Sequence, residues 1–201
     1  RCVYERNDSP ARAKEGLLQT KGWWDGEGAE VPERARIKVV ENGLVFDLDI
    51  ENSQKTGFFL DQKYNRRAVR QIAGGRRVLD CFCHVGPFGL NAAAGGADFV
   101  RCVDVSQTAI DLAAENARLN GLDDRMDFTC ANVLEYLPEL RQDRTRLREE
   151  GGPFDLIVLD PPAFTKSRGT IKHAAKGYRE INYEAMRLLP RGGYLATCSC
   201  S

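Results

Sequence analysis

From about Ser53 onward, short apolar runs alternate with helix-forming segments, and this alternation constrains the fold more than any other feature. Arg77 to Phe82 is the first apolar run, followed by Gly86-Pro87-Phe88-Gly89 and the helix-forming Leu90 to Ala94. Phe99 to Val103 is the second, ending at Asp104. Ser106 then caps a helix over Gln107 to Leu119, which Asn120-Gly121 terminates. Met126 to Cys130, Phe154 to Leu159 and Gly193 to Cys200 read as three further strands, with a long helix around Ala174 to Leu189 before the last. Such regularity predicts an α/β protein with a doubly wound, mostly parallel sheet and right-handed crossovers. Ligands of such sheets lie outside the carboxyl ends of the strands. Asp80 to Gly86, Asp104, Asn132, Asp160 to Ala163 and Cys198 to Ser201 are therefore expected along one edge.

Residues 1–56 read as a small α+β module ahead of a domain over 57–201. Val3-Tyr4-Glu5 is a candidate strand, Ser9-Pro10 starts a helix through Leu17, and Gly22 to Glu33 reads as a loop. Ile37 to Val40 and Leu44 to Ile50 flank Asn42-Gly43, a strong hairpin signal.

Composition narrows the class. With 201 residues, 42% of them hydrophobic, the chain can bury a core without a disulfide or metal staple. No stretch reaches the ~20 apolar residues of a membrane span, and no basic-then-apolar leader opens the chain. A cytoplasmic protein with no membrane partner is expected. The first residue is Arg rather than Met, as in a piece of a longer protein. The seven cysteines are odd in number and none has zinc-knuckle spacing, so free thiols and no metal are expected.

The 29 basic and 29 acidic side chains cancel but are segregated. Residues 61–77 hold six basic side chains and one acid, and 163–191 hold seven against Glu180 and Glu184; 78–162 hold seven basic and fifteen acidic. The basic segments permit a face that tracks phosphates, or a merely solvated surface.

The expected edge carries specific chemistry. Gly86 allows a sharp turn after the first strand, and Asp104, at the end of the second, can accept from two ribose hydroxyls. Neither GxGxxG nor GxxxxGK[ST] is present, which favours a nucleoside without a diphosphate over NAD or ATP. Asp160-Pro161-Pro162-Ala163-Phe164 presents one carboxylate stiffly, suited to gripping a planar polar substrate.

Val78-Leu79-Asp80-Cys81-Phe82 with Gly86, Val103-Asp104-Val105-Ser106 and Asp160-Pro161-Pro162-Ala163-Phe164 resemble, in order and spacing, the class I S-adenosylmethionine-dependent methyltransferases. More narrowly, Gln54 to Gln62, Lys176 to Asn182 and Thr197-Cys198-Ser199-Cys200-Ser201 resemble the bacterial 23S ribosomal RNA cytosine-5 methyltransferases. The resemblance implies S-adenosylmethionine as cofactor and RNA as partner, with Lys166, Arg168 and Lys172 on phosphates. It implies Cys200 as a nucleophile that adds to the pyrimidine, Cys198 in reserve, and Asp160 on the cytosine edge. Gln54, Lys55 and Phe58 would wall the cofactor, Asp80 and Gly86 hold its amino-acid end, Asp104 its ribose, and Asn132 its adenine.

Four features depart from the family pattern. Asn132 stands where an Asp is usual, His84-Val85-Gly86-Pro87 replaces Tyr-Thr-Gly-Gly, and Ala163 occupies the position of a second cysteine found in some relatives. The chain ends at Ser201, where the class expects a further helix and two strands, so a domain truncated after the fifth strand is expected. Rival readings are a uracil-5 or exocyclic-nitrogen RNA methyltransferase, a nicotinamide enzyme, and a non-catalytic RNA-binding module that keeps the cofactor pocket.

Overall fold

The structure, a computed structural model, describes residues 3–24, 32–33, 35–53, 57–149, 151–165 and 171–199. Its contacts divide the chain into two units, Arg1–Val39 with Asp47–Leu60, and Val40–Phe46 with Asp61–Ser201.

In the first unit, β1 (Val3–Asn7) pairs antiparallel with β2 (Thr20–Trp24), setting Tyr4 opposite Trp23 with ring centroids 5.0 Å apart. The segment read as a loop from Gly22 thus begins inside a strand. Cross-strand aromatic pairing outweighs the local glycine signal. Ser9 caps α1 (Pro10–Lys14), accepting from the Ala11 amide, but the helix stops three residues short of Leu17, with nothing buried to extend it.

β3 (Arg36–Glu41) and β4 (Leu44–Asp49) form a two-stranded sheet turned by Asn42 and Gly43, both at positive φ (53° and 79°) as a type I′ turn requires. The tip of this hairpin belongs to the second unit.

There, β5 (Arg77–Cys81), β6 (Phe99–Asp104), β7 (Met126–Cys130), β8 (Leu156–Leu159) and β9 (Tyr194–Thr197) form a parallel sheet in the order β7-β6-β5-β8-β9. The order reverses between β5 and β8, the switch point at which such sheets open a crevice. This is the doubly wound architecture expected. All four residues of β8 are fully buried, as both-face coverage demands. Leu79 and Cys81 pack with Leu159 into a core that includes Leu137, Leu140 and Ile181. Strand alternation sends Asp80 to the opposite face.

Helices α3 (Pro87–Ala94), α4 (Gln107–Leu119) and α7 (Ile171–Leu188) correspond to predicted segments, α3 and α7 each starting three residues earlier than expected. The sequence reading missed α2 (Lys63–Ile72), α5 (Val133–Gln142) and α6 (Arg144–Glu149). Two of these hide for physical reasons: α2 buries an arginine, Arg66, on its inner stripe beside Val69, and α5 carries Pro138 inside the helix.

Candidate active site

The loop that leaves β5 is strained. Phe82 and His84 adopt φ of 61° and 50° and Gly86 one of 82°, so two residues with side chains occupy the left-handed region. Each costs about 1–3 kcal/mol and persists only where surrounding contacts hold it. One such contact is visible: the His84 amide donates to Asp104 Oδ2 over 2.9 Å, while Ser106 N donates to Oδ1 at 2.9 Å. Asp104, at the end of β6, is thereby clamped on both oxygens, and each keeps a lone pair for a further donor. Burial lowers the His84 imidazole below its ordinary range, so the ring is neutral at pH 7.

Gly86 has a structural reason of its own. A Cβ there would lie 2.7 Å from Leu90 Cδ1 and 3.1 Å from Ala113 Cβ, at a φ that side chains avoid. The missing side chain points into α3 and α4, so packing of the loop requires this glycine apart from any approach of a ligand.

Asp80 is fully buried. Its Oδ2 accepts from Gly89 N at 2.7 Å, and its Oδ1 has no hydrogen-bond partner among the described residues. Burial pushes the carboxyl up to about 8 against the Gly89 hydrogen bond, and the charges of Asp160 and Asp104 add to the rise. An unpartnered carboxyl oxygen at the head of a crevice suits a cationic group that would restore its charge.

On the other side of the switch point, Asp160 follows β8, and Cys198 follows β9 with its amide donating to Leu159 O at 2.8 Å. The Cys198 sulfur lies 3.9 Å from Gln62 Oε1 and within hydrogen-bonding reach of Asp160. Burial and the negative charge of Asp160 push this thiol up to about 11. Asp160 itself is raised by burial, with Arg66 pulling the other way. The strap beyond Asp160 is fixed by Phe164, whose ring centroid lies 4.7 Å from that of Tyr178 and 6.5 Å from that of Phe82. Gly177 makes room for it: a Cβ there would sit 3.1 Å from the Phe164 ring.

Asp80, Gly86, Asp104, Asn132 and Asp160 therefore all stand at strand exits of one edge, joined by Cys198. Asn132 differs from expectation in its engagement: it caps α5, its Oδ1 accepting from Leu134 N at 3.1 Å and its Nδ2 donating to Glu135. Phe58 is buried in the first unit. Cys200, Gln54, Lys55, Lys166 and Arg168 lie outside the described residues; Lys172 is exposed in the first turn of α7.

Sequence reasoning missed Gln62 and Arg66, which lie four apart on the inner stripe of α2, and the exposed apolar side chains of Val105 and Leu134, next to Asp104 and Asn132. A stripe at positions 62, 66, 69 and 73 was the available signal, masked by its charge. Cys81 and Cys83 are buried, which pushes their thiols far up and leaves them inert. Among the described residues no cluster of His, Cys, Asp and Glu could hold a metal, and no helix is long and apolar enough to cross a membrane.

Comparison with known proteins bears on this edge. Residues 19–201 match the family described as S-adenosylmethionine-dependent methyltransferase. The chain is 45% identical over 200 residues to ribosomal RNA large subunit methyltransferase I of Aeromonas salmonicida, covering 99% of this chain and 48% of that protein. It is 46% identical over 201 residues to the protein of the same name from Aeromonas hydrophila, again covering 48% of that protein. The chain thus spans about half the length of the curated relatives it matches. Among solved structures, a SAM-dependent methyltransferase from Agrobacterium tumefaciens shares the fold with a TM-score of 0.70 at 20% identity, covering 96% of this chain and 63% of that one.

Proposed function

The chain belongs to the S-adenosylmethionine-dependent methyltransferase family, and from that premise we propose that it methylates carbon 5 of a cytosine in 23S ribosomal RNA through a covalent cysteine adduct. The observation that carries this reading is the meeting of Asp160 and Cys198 at the exits of β8 and β9, beside the edge that holds Asp80 and Asp104. The names of the relatives, each a large-subunit ribosomal RNA methyltransferase, support the substrate class. Such a substrate places the reaction in the cytoplasm.

The cofactor supplies an electrophilic methyl group on a sulfonium. Toward it, Asp80 Oδ1 suits the ammonium of the amino-acid end and Asp104 the ribose hydroxyls; Gly86 shapes the loop, and Asn132, Val105 and Leu134 border the adenine. Carbon 5 of cytosine is a weak nucleophile, so a thiolate adds at carbon 6 and the electron pair it pushes to carbon 5 takes the methyl group. A base then removes the carbon-5 proton, the double bond reforms, and the thiolate leaves. Asp160, beside the Cys198 thiol, would hydrogen-bond the amino edge of the base. The family resemblance favours Cys200 as nucleophile with Cys198, whose thiol burial and Asp160 push up to about 11, in reserve. Lys166, Arg168 and Lys172 would meet backbone phosphates.

The test is transfer of a labelled methyl group to unmodified large-subunit ribosomal RNA, followed by digestion to nucleosides. Label in 5-methylcytidine is the expected result. Label in 5-methyluridine or in an N-methylated purine overturns the reading.

A further inference from the structure

We propose that the outer stripe of α7, together with the groove at its far end, is a track for single-stranded RNA that leads away from the substrate edge. The inference rests on the reading above for the class of partner and adds the path that the strand flanking the target takes.

α7 connects β8 to β9 and runs antiparallel to them. It starts beside the strap that follows Asp160, where Tyr178 meets Phe164, and ends at the turn before β9. Its inward face buries Ala174, Ile181, Ala185 and Leu188. At 3.6 residues per turn, Lys172, Lys176, Arg179, Tyr183, Met186 and Arg187 fall on the opposite side, within about 100° of arc along about 22 Å of helix. All six are exposed, Tyr183 and Met186 by 54% and 56%. The stripe thus holds four cations, an aromatic ring and no acid. Glu180 lies at its margin, paired with Lys176 over 3.6 Å. Among the described residues Lys172, Arg179 and Arg187 have no ion-pair partner.

Solvation alone does not call for this pattern. The chain is neutral overall, with 29 basic and 29 acidic side chains, and the outer face of α4 mixes its signs, with Asp111, Glu115 and Arg118 all exposed. Like charges three and four residues apart, as in Lys172, Lys176 and Arg179, weaken a helix, and a polyanion relieves that repulsion. Tyr183, between Arg179 and Arg187, offers a ring on which a base can stack. A single strand has unstacked bases to give it; a duplex does not.

The track continues past the end of the helix. The turns at 74–76 and 190–193 enclose a polar groove of about 350 Å³, lined by Arg76, Arg191 and the bare backbone of Gly74, Gly75 and Gly193, on the edge opposite Asp160. Arg76 is held there: its Nη1 donates to Ile72 O at 2.6 Å, and its guanidinium carbon lies 4.8 Å from the ring centroid of the exposed Tyr194. The carboxylate in the wall, Asp155, is engaged by the Arg77 amide at 3.1 Å. Two guanidinium groups over glycine backbone suit a phosphate, and Tyr194 repeats the pairing of ring and cation seen at Tyr183.

The test is fluorescence titration of the full chain with a labelled single-stranded oligocytidylate, and with an RNA duplex of the same length, over a series of salt concentrations. Arg179→Ala and Arg187→Ala should each reduce the slope of log K against log salt by about one. Tyr183→Ala should weaken single-strand binding by at least about fivefold while leaving the slope and duplex binding unchanged. Arg118→Ala, on α4 and outside the track, should change neither. Because these side chains are exposed, melting temperatures should stay at the parent value. An unchanged slope and affinity in the double variant Arg179→Ala with Arg187→Ala overturns the track, whether the face is solvated or covered by another protein segment. An equal loss for single strand and duplex in Tyr183→Ala overturns the assignment of the strand. Methylation of RNA by a protein whose affinity ignores these substitutions counts against the track alone. Binding that responds to them, in a protein that makes no 5-methylcytidine, counts against the base chemistry alone.

Discussion

The amide of His84 donates to the carboxylate of Asp104 over 2.9 Å, tying the strained loop after β5 to the end of β6. Through this one bond, the residue proposed to hold the ribose also holds the loop that contains Gly86.

Asp104→Ala should therefore weaken S-adenosylmethionine binding more than loss of one ligand contact would. Losing a charged acceptor costs about 1–3 kcal/mol, which is about 5- to 150-fold in Kd. Release of the loop should add to it. Asp104→Asn, which keeps one acceptor oxygen, should fall between the parent and Asp104→Ala when the three are compared by calorimetry.

Asp80 links the cofactor site to pH. Its folded value of about 8 lies above its ordinary 3.8, so the stability that its burial permits is complete at low pH and fades as pH rises toward 8. A cationic ligand favours the ionised form and should drive a proton off. Calorimetry near pH 7 in two buffers of different ionisation enthalpy should show proton release on S-adenosylmethionine binding. In Asp80→Asn the release should vanish, affinity should drop, and thermal stability should lose its decline between pH 6 and 8.

Gly86→Ala forces a Cβ within 2.7 Å of Leu90 at a φ of 82°. Strain of this kind costs about 1–3 kcal/mol, worth several degrees of melting temperature in a chain of this size. Differential scanning calorimetry should find that loss without any cofactor present, because the clash is with the protein itself.

RNA affinity should fall steeply with salt, and Lys172→Ala should reduce the slope of log K against log salt by about one. A slope unchanged by this substitution and by the corresponding ones at Lys166 and Arg168 would return these side chains to a solvated face.

Much of the fold was legible because its signals are local. Asn42-Gly43 turned as a type I′ hairpin, Ser106 capped the helix that follows it, and the uninterrupted apolar run of β8 marked a strand covered on both faces. The missed elements depend on partners far along the chain. β2 exists through Trp23 meeting Tyr4 of β1, and α2 hides because its inward arginine is paired with Glu41, 25 residues away. The same holds at the site. Strand ends predicted that Asp80, Asp104 and Asp160 would share an edge, but the engagement of Asn132 belongs to the start of α5, a helix the sequence reading missed, and the approach of Gln62 to Cys198 arises from tertiary placement.

The central claim is a covalent bond between a thiol after β9 and carbon 6 of a cytosine. RNA carrying 5-fluorocytidine arrests such a reaction after methyl transfer, since the fluorine that replaces the carbon-5 proton cannot be removed by a base. With S-adenosylmethionine present, peptide mapping should recover an RNA adduct on Cys200, absent in Cys200→Ala and retained in Cys198→Ala. Catalytic methylation of ordinary RNA by the double variant Cys198→Ala with Cys200→Ala, with no adduct on any cysteine of the parent, would contradict it.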